Sequence, residues 1–174
     1  MTRHISVYIE IAKFSNQKLE YDLGENKLVL DRVLSYPYTY PFAYGFIPNT
    51  LGEDGDELDV LVLEGGDHLL LPGSFCHCHI VGALLMEDEK GQDEKLLAIP
   101  YEKSLEGTVS LTDISSVDLQ NIHWFFSNYK SDIREPSRWS RVSDFVGREA
   151  ALDLYRAGVQ RALDRLLSVG DQQV

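Results

Sequence analysis

The sequence predicts an α+β fold: a closed or nearly closed β-barrel with helices packed on it. Three observations carry this prediction. Roughly the first hundred residues alternate as short apolar segments separated by turn residues. Roughly the last sixty change to a helical period. The chain has 174 residues of which 44% are hydrophobic, enough to bury a real core.

Ile5, Val7, Ile9 and Ile11 alternate with Ser6, Tyr8 and Glu10, the period-two pattern of a half-buried strand. Lys18 and Glu20 share one face of an early strand. Gly24-Glu25-Asn26 is turn chemistry, after which Leu28, Leu30 and Arg32 share one face of the next strand. Val60 to Leu63, Phe75 to Leu85 and Lys95 to Ile99 are further strands, separated by Gly65-Gly66-Asp67, Pro72-Gly73 and Lys90-Gly91. Leu119, Ile122, Phe126 and Tyr129 then fall on one helical stripe, with Ser115 or Ser116 as N-cap. A second helix begins after Ser143-Asp144 and carries Leu152, Tyr155, Val159, Leu163 and Leu166 on one face, with Gly170 at its end. No internal repeat, low-complexity tract or linker interrupts the chain, so a single domain over residues 1–174 is expected.

The formal net charge is −12 and the isoelectric point near 4.7. Bulk charge of this sign repels a nucleic-acid backbone or an anionic membrane, so neither is an expected partner. An anion could be handled only through locally placed cations or bound metals. No apolar run approaches the roughly 20 residues needed to span a bilayer, and no leader is expected before the first strand. Cysteines number two, and a cytoplasmic location is expected. Cys76-His77-Cys78-His79 resembles a soft-metal cluster, but on a strand its cysteines face one way and its histidines the other. It reads as barrel wall. His123-Trp124-Phe125 reads as helix packing or subunit contact, and His4 and His68 carry no motif.

The strongest local signal is Asp54-Gly55-Asp56-Glu57-Leu58-Asp59, a D-x-D-x-x-D cluster opening an apolar strand. Carboxylates about 4 Å apart repel by about 4 kcal/mol per pair at an effective dielectric near 20. Protons or hard divalent cations would offset that cost, while a solvated acidic turn would avoid it. A calcium loop fails on position, since Asp59 stands where the glycine belongs and Gly65 where the glutamate belongs. Glu87-Asp88-Glu89 and Asp93-Glu94-Lys95 read as a β-hairpin tip, relevant only if the fold brings it beside the aspartates.

The set in its order, Glu10, Lys18-x-Glu20, Arg32, Tyr40-Pro-x-x-Tyr44-Gly45, Asp54-x-Asp56-x-x-Asp59, Asp88-Glu89, Asp93-x-Lys95 and Tyr129-Lys130, resembles the soluble family I inorganic pyrophosphatases. The compact length resembles the prokaryotic form. The resemblance implies a five-stranded OB-like closed β-barrel with flanking C-terminal α-helices. It also implies Mg²⁺-dependent hydrolysis of pyrophosphate to two orthophosphates by direct attack of a metal-activated water. Several Mg²⁺ ions per active site are implied, with Mn²⁺ or another divalent ion possible, and a homohexamer. By the same resemblance, Asp54, Asp59 and Asp93 hold a first metal, and Asp59 also serves a second. Asp88 and Asp93 serve a metal arriving with substrate, and Glu10 and Glu20 a further one. Asp56 orients and deprotonates the attacking water. Lys18, Arg32, Tyr44, Lys95, Tyr129 and Lys130 grip phosphate oxygens, with Tyr40 and Glu89 supporting them.

The chemistry asks for such a set. One proton-transfer group contributes only about 10²–10⁴-fold, so charge neutralisation and positioning must supply the larger share. Ala12, Leu19, Glu57 and Arg138, the last before the usual Trp139, depart from the family's common residues, and none removes an expected ligand. Two rival readings are a Mg²⁺-dependent hydrolase of organic phosphates, which needs a pocket for the organic group, and a non-catalytic OB-like binding module. Part of the acidic excess is then a metal trap, so an anionic substrate is expected to arrive with its cations.

Overall fold

The structure is a computed structural model that describes residues 4–63, 69–105 and 110–170. The Gly65-Gly66-Asp67 turn and His68 lie outside the described residues. In order the elements are β1 (Ile5–Ile11), β2 (Gln17–Asp22), β3 (Lys27–Val33), β4 (Ala43–Ile47), β5 (Leu58–Val62), β6 (Phe75–Asp88), β7 (Gly91–Gln92) and β8 (Lys95–Pro100). Then follow α1 (Tyr101–Leu105), α2 (Ser116–Asn128), β9 (Ser140–Gly147) and α3 (Arg148–Gly170).

The class is α+β. Strand pairings run β1-β4-β5-β8-β6, and β6 pairs back onto β1, so the neighbours form a ring. The 14-residue β6 is long enough to pair β1 through Phe75–Cys78 and β9 through its second half. The hairpin β2–β3 stands apart as its own two-stranded sheet. Only β5 and β8 lie parallel among the described pairs, which starts both at the same end of the ring and sets Asp59 beside Lys95.

Alternate residues of these strands feed two cores. Val60, Val62, Leu96 and Ala98 join Val7, Ile9 and Cys78 in one, against Ala151, Leu152 and Tyr155 of α3. Leu61, Leu97 and Ile99 join Ile11, Tyr40 and Tyr44 in the other, under Ile122, Phe125 and Phe126 of α2. Both faces of β5 and β8 are therefore covered, which is why they read as unbroken apolar runs. Ser115 caps α2, its hydroxyl accepting from the Val117 amide at 3.2 Å. Burial of Ile122, Phe125 and Phe126 sets the azimuth of α2, and Tyr129 follows one turn later on the same side.

Three expectations are corrected. Ser143-Asp144 does not stand at the helix start but lies inside β9, with α3 beginning only at Arg148, and the Ser143 hydroxyl donates to the Leu85 carbonyl at 3.1 Å. Strands thus do not all come before helices. In α3 the buried positions are Ala151 and Gly158, while Leu163 and Leu166 are exposed because the helix runs on past the core. Leu28, Leu30 and Arg32 do not alternate cleanly: a bulge makes Lys18 face Arg32 while Leu19 faces Leu30. The cysteines turn inward as thiols, with no disulfide between them, and His77 stays outside against the Ser6 hydroxyl at 3.0 Å. His79 is buried instead, its ring 4.5 Å from that of His4.

Two consequences can be measured. A Cβ at Gly45 would stand 1.8 Å from the Tyr8 carbonyl oxygen, a backbone atom that cannot yield. Gly45→Ala should cost about 3 kcal/mol in urea unfolding. Burial, with His4 and Arg148 nearby, holds the His79 pKa below its ordinary value of 6.5. The unfolded chain therefore binds the proton more readily, and stability should fall as pH drops below about 6.5. His79→Gln should flatten that part of the urea midpoint against pH.

Candidate active site

A cleft of about 630 Å³ opens where β5 and β8 begin. Every residue that the sequence singled out as catalytic, binding, metal-ligating or supporting lines it. Glu10 comes from the end of β1, Lys18 and Glu20 from β2, and Arg32 from β3. Tyr44 belongs to β4, with Tyr40 just before it. Asp54 and Asp56 sit in the turn before β5, folded by Gly55 at φ +91°, and Asp59 in β5 itself. Asp88 ends β6, Glu89 follows it, and Asp93 precedes Lys95 of β8. The hairpin tip is thus delivered to the aspartates. Tyr129 and Lys130 close α2.

Lys95 is the buried centre, 2% exposed. Its Nζ donates to Asp59 Oδ2 at 2.6 Å and to Asp93 Oδ1 at 2.7 Å. It also lies 5.7 Å from the Tyr44 ring centre and 5.9 Å from that of Phe126. Burial alone favours the neutral amine, but the charges of Asp59 and Asp93 hold its pKa well above the lysine value. Asp93 remains raised, chiefly by burial, with Asp59 opposing the relief that Lys95 brings.

Lys130 makes a second ion pair, its Nζ donating to Asp88 Oδ2 at 2.6 Å and to Glu89 Oε1 at 3.3 Å. Burial would raise the Asp88 carboxyl, but the Lys130 hydrogen bond and the Lys90 amide bring it below the ordinary value. Glu89 also accepts from the Trp139 amide at 3.4 Å, tying the approach to β9 to this wall. On the opposite flank in sequence, Glu10 is buried and accepts from the Tyr21 amide at 2.7 Å. Burial, joined by the charges of Asp59 and Glu20, pushes its pKa up to about 7. Asp54 accepts from the Asp56 amide at 3.1 Å and is also raised, mainly by burial.

Tyr40 and Tyr44 pack with ring centres 5.1 Å apart, and Tyr40 lies 4.7 Å from Phe125. Burial raises both hydroxyls well above the ordinary phenol value, and raises Tyr129 likewise. All three stay neutral donors at physiological pH. Among the described residues no three His, Cys, Asp or Glu side chains form a ready-made ion cage, and Lys95 stands between Asp59 and Asp93.

The cleft also contains residues to which the sequence assigned no site role, including Tyr21, Asp31 and Arg138. Asp31 Oδ2 accepts from Lys18 Nζ at 3.0 Å and from Arg32 Nε at 2.9 Å. Its neighbour Arg32 was the only signal for it, because a bulge has no reliable mark in one sequence.

Comparison with known proteins agrees with this geometry. The family model described as inorganic pyrophosphatase matches residues 7–163. The inorganic pyrophosphatase of Campylobacter jejuni is 39% identical over 159 residues, covering 90% of each chain. A solved inorganic pyrophosphatase from Helicobacter pylori is 40% identical with a TM-score of 0.85, covering 92% of this chain and 94% of that one. One from Thermus thermophilus is also 40% identical, with a TM-score of 0.86 and 91% of each chain covered. The chain therefore belongs to the inorganic pyrophosphatase family, hydrolases that act on inorganic diphosphate.

Proposed function

We propose that this chain hydrolyses pyrophosphate to two orthophosphates in a Mg²⁺-dependent reaction, by direct attack of water. The observation that carries the reading is one cleft in which four cations, Lys18, Arg32, Lys95 and Lys130, interleave with the D-x-D-x-x-D carboxylates and buried neutral tyrosines. The lining is dominated by charged side chains, which suits an inorganic anion better than an organic group.

The donor set fits divalent cations. Carboxylates outnumber lysines and arginines in the lining, and Glu10, Asp54 and Asp93, held above their ordinary values with burial first among the causes, would be favoured as anions by a bound cation. Hard oxygen donors of this kind suit Mg²⁺ or Mn²⁺. Asp54, Asp59 and Asp93 would hold one ion and Asp59 would share a second. Asp88 with Asp93 would serve an ion that enters with substrate, and Glu10 with Glu20 another. When bound, such ions neutralise phosphate charge and make a water more acidic.

The protein's own groups do the rest. Lys18 and Arg32 from the hairpin, with Lys95 and Lys130, bind the phosphate oxygens, lysine as a point charge and arginine as a planar fork. Tyr44 and Tyr129 donate hydrogen bonds without adding charge. Asp56 is exposed at the cleft, and among the described residues no lysine or arginine is hydrogen-bonded to its carboxylate. It is free to orient the attacking water and take its proton. Tyr40 and Glu89 hold Tyr44 and Lys130 in place.

The strand ring is read as the OB-like barrel of the resemblance, and the chain as a single domain over residues 1–174. A cytoplasmic homohexamer completes the reading. Cysteine thiols at 76 and 78, not joined in a disulfide, suit a reducing compartment. Half-exposed Trp124, stacked on Tyr38, and Val117 offer α2 as subunit surface. No described helix is long and apolar enough to cross a membrane.

Phosphate release from pyrophosphate should require Mg²⁺ and stop in excess chelator, with ATP turned over far more slowly. Robust hydrolysis in chelator would overturn the metal dependence. Asp56→Asn should fold normally and lower kcat by about 10²–10⁴-fold. Near-normal turnover would remove Asp56 as the base.

A further inference from the structure

The hairpin presents Lys18 and Arg32 as direct cross-strand partners. Like charges so placed repel, and both side chains are long and rotamer-rich. The register supplies the remedy. Lys18 faces Arg32 while Leu19 faces Leu30, so Asp31 is the extra residue of a bulge. In a regular strand its side chain would leave the face that Arg32 occupies. The bulge re-aims it, and a single oxygen, Oδ2, accepts from Lys18 Nζ at 3.0 Å and from Arg32 Nε at 2.9 Å.

We propose that Asp31 is a positioning residue that holds Lys18 and Arg32 together as one phosphate-gripping pair. The proposal rests on the substrate-binding roles given to those cations above. Asp31 binds the Nε side of the guanidinium, and among the described residues the Arg32 side chain makes no other hydrogen bond. The terminal Nη atoms thus remain for phosphate. Lys18 is tethered from two sides, by Asp31 and by Glu20. A pair ordered before substrate arrives loses less freedom on binding. The two cations more than offset the effect of burial and hold the Asp31 carboxyl below its ordinary value, consistent with a permanently ionised anchor.

An anion beside an anionic substrate also repels it, so position and charge must be separated. Asn does this. Only Oδ2 carries the two hydrogen bonds, so an amide oxygen can replace it while the amide nitrogen takes the outer place. Asp31→Ala should raise KM for Mg²⁺-pyrophosphate and Kd for inorganic phosphate by about tenfold, with kcat changed by less than about threefold. Asp31→Asn should restore both constants to within about threefold of the wild type. An Ala variant with wild-type KM and Kd overturns the proposal. So does an Asn variant as impaired as Ala, which would make charge rather than position the cause. The wild-type assay, run in parallel, tests the parent reading: no Mg²⁺-dependent hydrolysis by it overturns both, whereas normal wild-type turnover with an unaffected Ala variant overturns only the role of Asp31.

Discussion

The buried Lys95 ammonium is the constraint on which the rest of the structure depends. A charge this deep persists only with partners, and Asp59 and Asp93 supply them from the adjacent strand and the preceding turn. That demand explains the parallel pairing of β5 and β8. An antiparallel partner would carry its first residue to the far end of the ring, away from Asp59. It also explains why Asp93 must lie just before β8, on a hairpin returning from β6. The three groups form one electrostatic unit, and the acidic turn at 54–56 gathers around it.

The aromatic wall performs a different task. Tyr40, Tyr44, Phe125 and Phe126 pack edge and face against one another beneath α2. This stack excludes water from one side of Lys95 and fixes where α2 ends. Tyr129 and Lys130 then arrive at the cleft through helix geometry, and Lys130 completes the wall by binding Asp88 and Glu89. Packing and electrostatics meet in Phe126, which contacts the second core and also faces Lys95.

Much of this was legible in the residues. Hydrophobic alternation located β1, and apolar runs between turn residues located β5, β6 and β8, while Ser115 or Ser116 marked the start of α2 through capping chemistry. The order of charged and aromatic residues located the cleft, since chemistry there demands particular side chains at particular places. What escaped depended on tertiary context. The Ser143-Asp144 pair carries a helix-start signal, yet Val142, Phe145 and Val146 pack against the cores and draw the segment into β9 beside β6. Leu163 and Leu166 keep a helical period past the point where anything lies opposite them. Asp31 escaped because a bulge shifts the face of a residue without changing its type.

The double-sided burial of β5 and β8 leaves these two strands little slack in which to accommodate change. In a sheet with one wet face, half the positions can drift freely; here a swap at Leu61 or Leu97 presses on the aromatic stack, and one at Val60 or Ala98 presses on α3. Either displacement moves Asp59 or Lys95, their chain neighbours or near neighbours. Within this chain the second half of α3, with Leu163, Leu166 and Leu167 all exposed, carries no such packing constraint. A change of side-chain volume is absorbed there, whereas along the two middle strands it is not.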